Sequence, residues 1–355
     1  MSDLTWSDLA WVGPDGIPIE PLYTEPVDID VPAREGAWQI RPRVHDAAQA
    51  AAEIAGGADS LWYVGPDTLA VPGCPVVDAS TRVATFDELL TCADDVEELR
   101  VTLGRDVFHA MAKVRAARVL WFERTGRTPF VHAVGDYATL TRYDPWTNIM
   151  RQTTQAFAAA VGGADAITVW GYDAAGDAPS DLGRRIARNT QLVLRDEAQL
   201  HAFTDAARGS YYLDWLTKEI VERARRGPSK RAAGDEPIVG VTHFPLAGET
   251  PLGPGEPTDA SPYESLRDAP AAPIYLCKLG TPKEHGKTAA FARNLFVTGG
   301  FTVVEGDGPD GFAASGASIA CVVGPGDVEI PGAARVVREL DPKMDRLAFL
   351  RELRA

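Results

Sequence analysis

The sequence predicts an α/β protein in which parallel β-sheets are covered by helices, and three observations support this class. The chain has 355 residues, 45% of them hydrophobic and 24% charged, which is enough to bury a substantial core in two domains. Helix-type and strand-type patterns alternate along most of its length. The strand-type runs, such as "AITVW" at 166–170, are continuously apolar, which is typical of strands buried on both faces.

Helices are predicted where apolar residues recur at spacings of three and four. The clearest covers 106–125, between Asp106 as N-cap and Gly126 as terminator. A second is expected after Asp144 as N-cap, with Pro145 at the first helical position and Gly162-Gly163 as its end. Two more are expected at 180–198 and 211–226. The residues expected to face inward are Val107, Met111, Val114, Ala117 and Trp121 in the first helix, Ile149, Thr153, Phe157 and Ala160 in the second, Leu182, Ile186 and Val193 in the third, and Leu213, Leu216 and Ile220 in the fourth.

The remaining patterns give strands and a domain organisation. Strands are predicted at 60–65, 164–173 and 238–245. The Trp-rich N-terminal residues are interpreted as an arm that packs on something, because exposed indoles are costly in water. The expected organisation is an extended arm at 1–45, a first α/β domain at 46–245, a Pro-rich linker at 246–272 and a second α/β domain at 273–355. The second domain is expected to contain strands 273–277, 301–305 and 317–323 and helices 285–298 and 342–354.

The composition argues against several classes of function. The formal net charge is −15 and the pI is about 4.9, so no nucleic-acid partner is expected, and the basic run at 223–231 is interpreted as a solvated helix end. The cysteines are too far apart for a disulfide framework or a zinc site, which favours a reducing compartment. No signal peptide is visible, and no apolar run approaches the ~20 residues that cross a bilayer. We therefore expect a cytoplasmic protein without membrane contact.

Three kinds of motif in the sequence could take part in binding or catalysis. "GDGPDG" contains Gly306, Gly308 and Gly311 in the G-x-G-x-x-G spacing of dinucleotide-binding loops, but no helix is predicted after it, so a surface loop is favoured. The arginines of 184–191 could meet a phosphate, although a network that ties this helix to neighbouring loops is favoured. None of the six histidines has metal-ligand spacing, and no G-x-S-x-G nucleophile motif is present.

Several blocks of the sequence resemble one known family. "DPWTNIMRQTTQAFAAAVGGADAITV", "RRIARNTQLVLRDEAQL", "AMAKVRAARVLW" and "ARGSYYLDWLTKEI" are similar to segments of the adenosylcobalamin-dependent acyl-CoA mutases, above all methylmalonyl-CoA mutase. Shorter similarities fall at 15–24 and 57–65. The resemblance implies a (β/α)8 barrel that holds acyl-CoA, followed by a flavodoxin-like domain that holds cobalamin.

The resemblance also implies that this chain lacks the cobalt ligand. In the family a D-x-H-x-x-G loop supplies a His that coordinates cobalt. When "KLGTPKEHG" is laid on it from the shared Lys-x-Gly, Pro282 takes the Asp position, Glu284 the His position and Lys287 the Gly position. A carboxylate is a poor substitute for a neutral imidazole on cobalt, and proline cannot orient a ligand. We expect no cobalamin or metal on this chain and adenosylcobalamin in a partner subunit.

The barrel implied by the resemblance is reduced. Only residues 82–109 separate "DAST" from the "AMAKVRAARVLW" helix, where family members have further strand–helix units. The family's H-x-Q-T-S-G strand end is represented by "HAVGDY", which retains His132 and has Val134 in place of the amide. The resulting fold prediction is α/β, with a reduced TIM-like barrel followed by a degenerate flavodoxin-like domain of the cobalamin-binding type.

These features resemble the small subunit of the heterodimeric mutases. They predict a non-catalytic chain, with no catalytic residue of its own, that binds and stabilises a catalytic acyl-CoA mutase large subunit. The partner would carry the isomerisation, most simply between methylmalonyl-CoA and succinyl-CoA. The alternative is a stand-alone acyl-CoA-binding protein or enzyme that reuses the mutase remnant.

Overall fold

Parallel strands and helices alternate through both structural units of the protein. The structure is a computed structural model that describes residues 5–227, 237–269 and 271–355. Within these ranges, the first unit contains 5–139, 148–174 and 178–227, and the second contains 140–147, 175–177, 237–269 and 271–355.

The first unit contains ten short strands and five α-helices among its described residues. Its strands are β1 (Trp11–Val12), β2 (Pro18–Ile19), β3 (Gln39–Ile40), β4 (Arg43–Val44), β5 (Leu61–Tyr63), β6 (Val76–Val77), β7 (Val83–Thr85), β8 (Glu98–Thr102), β9 (Val131–Val134) and β10 (Ala166–Thr168). Its helices are α1 (Ala47–Ala55), α2 (Val107–Thr125), α3 (Thr147–Gly162), α4 (Asp181–Leu192) and α5 (Tyr211–Arg226).

Two parallel sheets of this unit meet in one extended segment of chain. The larger sheet has the order β3-β10-β9-β8-β7 and the smaller has the order β4-β5-β6. Strands β3 and β4 are separated by only Arg41 and Pro42. The amide of Arg41 bonds to Ile167 in the larger sheet, and the carbonyl of Pro42 accepts from Trp62 in the smaller one. The 39–44 segment therefore connects the two sheets edge to edge.

Alternation along the central strands gives the larger sheet one apolar and one polar face. Leu99, Val101, Val131, Ala133 and Ile167 belong to the main core with the buried alanines and valines of α2 and α3. The intervening residues are polar: Glu98 and Arg100 on β8, His132 on β9 and Thr168 on β10. The polar face is the one that carries residues capable of chemistry.

Local signals placed α2 correctly. The Asp106 carboxylate accepts a hydrogen bond of 2.8 Å from the amide of His109, and Gly126 ends the helix with φ of 67°. The predicted inward residues Met111, Val114, Ala117 and Trp121 are buried, and Val107 packs against the same core. Helix α5 and its buried Leu213, Leu216 and Ile220 are likewise confirmed.

The predicted start of α3 was wrong, and its predicted inward face was right only in part. The helix begins at Thr147 rather than Pro145, and Asp144, the predicted N-cap, has φ of 46° and accepts a hydrogen bond from the Thr147 hydroxyl. The predicted inward residue Ala160 is buried in the main core. Phe157 is 36% exposed, whereas Gln152 and Gln155 are buried. Their amide oxygens accept hydrogen bonds from the backbone at the ends of neighbouring strands, 2.9 Å from Trp170 and 2.8 Å from Asp136. Because these loops need partners, α3 buries two amide side chains beside the alanines that it contributes to the main core.

Other predictions for this part of the chain also need correction. The 180–198 helix ends as an α-helix at Leu192, continues as a π-turn, and leaves Leu182 and Val193 exposed. The predicted strand 238–245 is a tight turn with one isolated bridge, because three successive amides bond to the Ile238 carbonyl. The arm packs through Ile17, Ile19 and Trp38 and through Tyr23, while Trp6 and Trp11 remain 59% and 51% exposed.

The second unit matches the element order predicted for it. Its strands are β11 (Ala271–Lys278), β12 (Phe301–Asp307), β13 (Ile319–Val323) and β14 (Arg335–Val337), and its helices are α6 (Ser261–Asp268), α7 (Pro282–Thr298) and α8 (Arg346–Arg354). All four strands are parallel in the order β12-β11-β13-β14. Strand β14 and helix α6, which lies within 246–272, were not predicted. Across the described ranges, none of the helices combines the length and apolarity that a membrane span requires.

Candidate functional site

A polar cluster lies on the inner face of the first unit's larger sheet. We call Arg41, Glu98, Arg100, His132 and Thr168 the interior cluster. Parallel pairing places Arg100 beside His132, and the period of two brings Glu98 and Thr168 to the same face. His132 is 0% exposed, and Arg41, Glu98 and Thr168 are also buried. Buried charges of this kind are stable only when they are paired.

Hydrogen bonds connect every member of the interior cluster. Nδ1 of His132 lies 2.8 Å from Oε1 of Glu98, and its Nε2 lies 2.7 Å from the Thr168 hydroxyl. The guanidinium of Arg41 pairs with the other Glu98 oxygen, and Arg100 donates to Oε1 over 2.9 Å. Both ring nitrogens of His132 are thus occupied by protein groups, and in this geometry neither is available to a substrate.

Burial and pairing set the protonation states of the cluster. Burial lowers the pKa of His132 to about 4, despite the opposing effect of Glu98. Burial alone would raise the pKa of Glu98, but His132, Arg41 and Arg100 together lower it to about 2. At neutral pH the cluster therefore contains a carboxylate, two guanidinium groups and a neutral imidazole. Nδ1–H donates to Glu98, and the Thr168 hydroxyl, which lies beside Nε2, donates to the Arg41 carbonyl.

Aromatic side chains and a further arginine cover this face. The edge of Trp62 contacts His132, with ring centroids 5.8 Å apart, and Arg100 lies 4.4 Å from the Trp62 ring. Arg43 is positioned between Trp62 and Trp170, at 5.6 and 5.3 Å from their centroids. Because Trp62 belongs to β5 and His132 to β9, the inner faces of the two sheets meet here.

The segment of the second unit that aligns with the family's cobalamin loop forms the first turn of a helix. Pro282 is the first residue of α7, Thr281 is its N-cap, and Lys287 is an exposed residue of its second turn. The Glu284 carboxylate accepts hydrogen bonds of 2.8 and 2.7 Å from the Thr281 amide and hydroxyl, which form a capping box. These bonds lower the pKa of Glu284. Glu284 therefore serves as a hydrogen-bond acceptor for Thr281 at the N-terminus of α7.

The neighbouring His285 does not fit a cobalt ligand either. Its ring is buried, and its Nδ1 has no hydrogen-bond partner within the described chain, whereas metal-binding imidazoles are oriented through their second nitrogen. The loops that follow β11 and β13 are also in direct contact: a Cβ on Gly324 would lie 2.1 Å from the Leu279 carbonyl oxygen. Ligands of such sheets enter between these strand ends, so this crevice is closed.

The glycines of the "GDGPDG" loop accommodate a tyrosine. The buried Tyr275 hydroxyl donates to the Gly308 carbonyl over 2.8 Å. A Cβ on Gly306 or Gly311 would lie 1.9 or 2.6 Å from that hydroxyl oxygen. Turns follow the loop rather than a helix, as the sequence predicted. The space that a pyrophosphate would need beside these glycines is filled by Tyr275.

The arginine motifs are structural where the structure describes them. Arg184 and Arg188 of α4 both contact the carboxylate of Glu53, so a network exists as predicted for 184–191, but its partner is helix α1 rather than a loop. In the basic run, Arg223 and Arg225 pair with Glu219 and Glu123, and its residues 228–231 lie outside the described ranges. The described residues contain no group of three His, Cys, Asp or Glu side chains placed to hold a metal ion.

Sequence reasoning singled out His132 but missed Arg41, Arg43, Glu98 and Trp62. One signal was present: alternate residues in "ELRVT" and "QIRPRV" are charged within otherwise apolar strands. Charges at a period of two in a parallel strand indicate a polar interior face.

Comparison with known proteins gives one family match and several relatives. The family model described as methylmalonyl-CoA mutase matches residues 98–228. The methylmalonyl-CoA mutase small subunit of Streptomyces virginiae is 34% identical over 291 residues, which cover 63% of this chain and 47% of that protein. The probable methylmalonyl-CoA mutase small subunit of Mycobacterium tuberculosis (strain ATCC 25618 / H37Rv) is 34% identical over 283 residues, which cover 64% and 46%.

A more local similarity links the chain to a protein named without a subunit. The methylmalonyl-CoA mutase of Escherichia coli (strain K12) is 37% identical over 132 residues, which cover 35% of this chain and 18% of that protein. The chain spans about half the length of the small subunits that it matches.

Proposed function

We propose that this chain is a non-catalytic small subunit of an adenosylcobalamin-dependent acyl-CoA mutase, because residues 98–228 match the methylmalonyl-CoA mutase family model and the chain is 34% identical to two small subunits of that enzyme. In this proposal a large subunit binds the coenzyme and interconverts methylmalonyl-CoA and succinyl-CoA. The present chain stabilises that catalytic subunit and binds no cobalamin.

The observation that carries this proposal is the capping role of Glu284. The residue at the position of the family's cobalt ligand is a carboxylate, and its hydrogen bonds with the Thr281 amide and hydroxyl complete the N-terminus of α7. A carboxylate is also a poor substitute for the neutral imidazole that coordinates cobalt in the family, which supports a chain that binds no cobalamin. The exposed Trp6 and Trp11 of the arm further favour a partner chain, since large exposed indoles are typical of interfaces.

We also propose that the first unit is a reduced (β/α)8 barrel and the second a flavodoxin-like domain. In the first, sequential strands β7 to β10 are neighbours and β10 pairs with the early strand β3, as first and last strands do in a barrel. The contact between Trp62 and His132 favours a curled sheet with a shared interior. In the second, the parallel order 2-1-3-4 is that of the flavodoxin-like sheet.

Co-expression with the catalytic mutase chain of the same cell tests the proposal. We expect one complex of defined mass in size-exclusion chromatography with light scattering, and coenzyme-dependent isomerase activity in that complex. The isolated chain should bind no adenosylcobalamin in equilibrium dialysis, and His285→Ala should leave this result unchanged. Separate elution at micromolar concentration, or isomerisation by the isolated chain, would refute the proposal.

A further inference from the structure

Arg43 lies beside the interior cluster of the first unit, and no carboxylate of the described residues forms an ion pair with it. Arg41 and Arg100 both pair with Glu98. By contrast, Arg43 makes no hydrogen bond or ion pair with any residue that the structure describes, and its Nε is buried without a partner. Burial lowers the pKa of Arg43, but a guanidinium remains protonated at neutral pH. The three guanidinium groups of Arg41, Arg43 and Arg100 therefore share the single carboxylate of Glu98, and Arg43 is the one that does not contact it.

Two indole rings hold the Arg43 guanidinium in place. Trp170 is fixed by a 2.6 Å hydrogen bond from its Nε1 to the Gly135 carbonyl and by the ring of Tyr137, with centroids 5.3 Å apart. Trp62 is fixed by Arg100 and by the edge of His132. Both indole rings are held by contacts that do not involve Arg43, so the site of the guanidinium is preorganised.

Arg43 and the two indole rings lie near the carboxyl ends of the strands, where ligands bind in parallel α/β folds. Trp170 lies two residues beyond the carboxyl end of β10, and Tyr137 lies beyond that of β9. Arg43, Trp62, Tyr137 and Trp170 are all half-buried, in contrast to the sealed His132 and Glu98. A ligand that approaches from the carboxyl ends of the strands reaches Arg43 before the interior cluster.

The chemistry of the site selects a planar anion. A guanidinium presents a flat fork of N–H donors that matches the two oxygens of a carboxylate, and such bidentate pairs are among the stronger hydrogen-bonded contacts. A phosphate would leave further oxygens against apolar indole surface, where they would lack donors. We propose that Arg43, between Trp62 and Trp170, binds the carboxylate of a small organic acid. This site is independent of the assembly proposed above.

Titration of the isolated chain with malonate and, separately, with inorganic phosphate tests this site. Binding is followed by calorimetry and by tryptophan fluorescence, which Trp62 and Trp170 should report. We expect saturable malonate binding that Arg43→Gln weakens at least about tenfold, the loss expected for a hydrogen-bonded charge pair. Arg82→Gln is the matched control, because it removes the same charge at an exposed surface position and should leave malonate binding unchanged.

Arg43→Lys provides a second variant if Arg43→Gln fails to fold, which thermal unfolding will show. It keeps the charge but loses the fork, so malonate should bind more weakly than to the unaltered chain. The proposal is overturned if malonate shows no saturable binding, if either Arg43 variant binds it as well as the unaltered chain, or if phosphate binds and malonate does not.

Discussion

Acidification should destabilise the first unit through protonation of His132. In the folded chain burial holds the pKa of His132 near 4, whereas an unfolded chain has the ordinary imidazole value of about 6.5. Between these values the unfolded state binds more protons than the folded state. Stability is therefore fully present above about pH 6.5 and falls as the pH decreases towards 4.

The expected loss is large relative to the stability of a domain. A difference of about 2.5 pKa units corresponds to a loss on the order of 3 kcal/mol, against ~5–15 kcal/mol for a typical domain. The direction rests on the neighbours of His132. Glu98 is the one carboxylate bonded to it, and Arg41 and Arg100 already neutralise that charge. Glu98, whose own pKa is lowered to about 2, adds a loss only below about pH 4.5.

Urea unfolding of the isolated chain between pH 4.5 and 7.5, followed by tryptophan fluorescence, measures this effect. The matched variant is His132→Asn, because the Asn amide keeps an N–H donor near the Nδ1 position for Glu98 but does not titrate. We expect the variant to be less stable at pH 7.5 and the difference from the unaltered chain to shrink on acidification. The other histidines are the same in both proteins, so their contributions cancel in the comparison.

Two outcomes would contradict this reasoning. Parallel stability curves for the two proteins would show that His132 does not change its protonation in this range. A difference that grows on acidification would show that Glu98 stabilises an imidazolium, so that the two arginines do not neutralise its charge.

Three further substitutions test the second unit by urea unfolding of the purified chain. Glu284→Ala removes the capping box with Thr281 and should cost about 1 kcal/mol, whereas Glu284→Gln should retain most of the stability; equal losses would contradict the capping role. Gly324→Ala puts a methyl group 2.1 Å from a backbone carbonyl oxygen, at a residue with φ of 103°. It should lower the free energy of unfolding by more than ~2 kcal/mol. An unchanged stability would show that the crevice between the strand ends can open. Tyr275→Phe should cost roughly 1 kcal/mol through its lost hydrogen bond, and no cost would mean that water replaces it.

The helices show what sequence patterns capture and what they miss. Helix α2 was predicted with both ends because Asp106 and Gly126 act on the residues next to them. The burial of two glutamines on α3 was missed because apolar periodicity identifies only the part of a helix that packs on apolar groups. Gln152 and Gln155 are buried for a different reason, the unpaired backbone amides of distant loops, and no local pattern shows where those loops lie.

The interior site could be predicted only in part for a related reason. His132 was visible through a family resemblance, and the charged alternation of β8 was visible in the sequence. The contacts of Glu98 with His132 and Arg41 depend on how β8, β9, β10 and the segment after β3 pair in the sheet. These elements come from separate parts of the chain. Arg43 is less visible still, because its neighbours Trp62 and Trp170 come from the two different sheets.

The buried pairs and the half-buried arginine form one continuous chain of contacts. His132 and Glu98 are hydrogen-bonded, Glu98 holds Arg100, Arg100 lies over Trp62, and Trp62 forms one wall of the Arg43 site. Buried ion pairs contribute little net stability compared with apolar residues of similar size, so stability alone is a weak reason for this network. Its geometric effect is specific: it fixes the position of the Trp62 ring. Loss of the Glu98 charge would release Arg100 and then Trp62, and so would reach the Arg43 site without any direct contact to it.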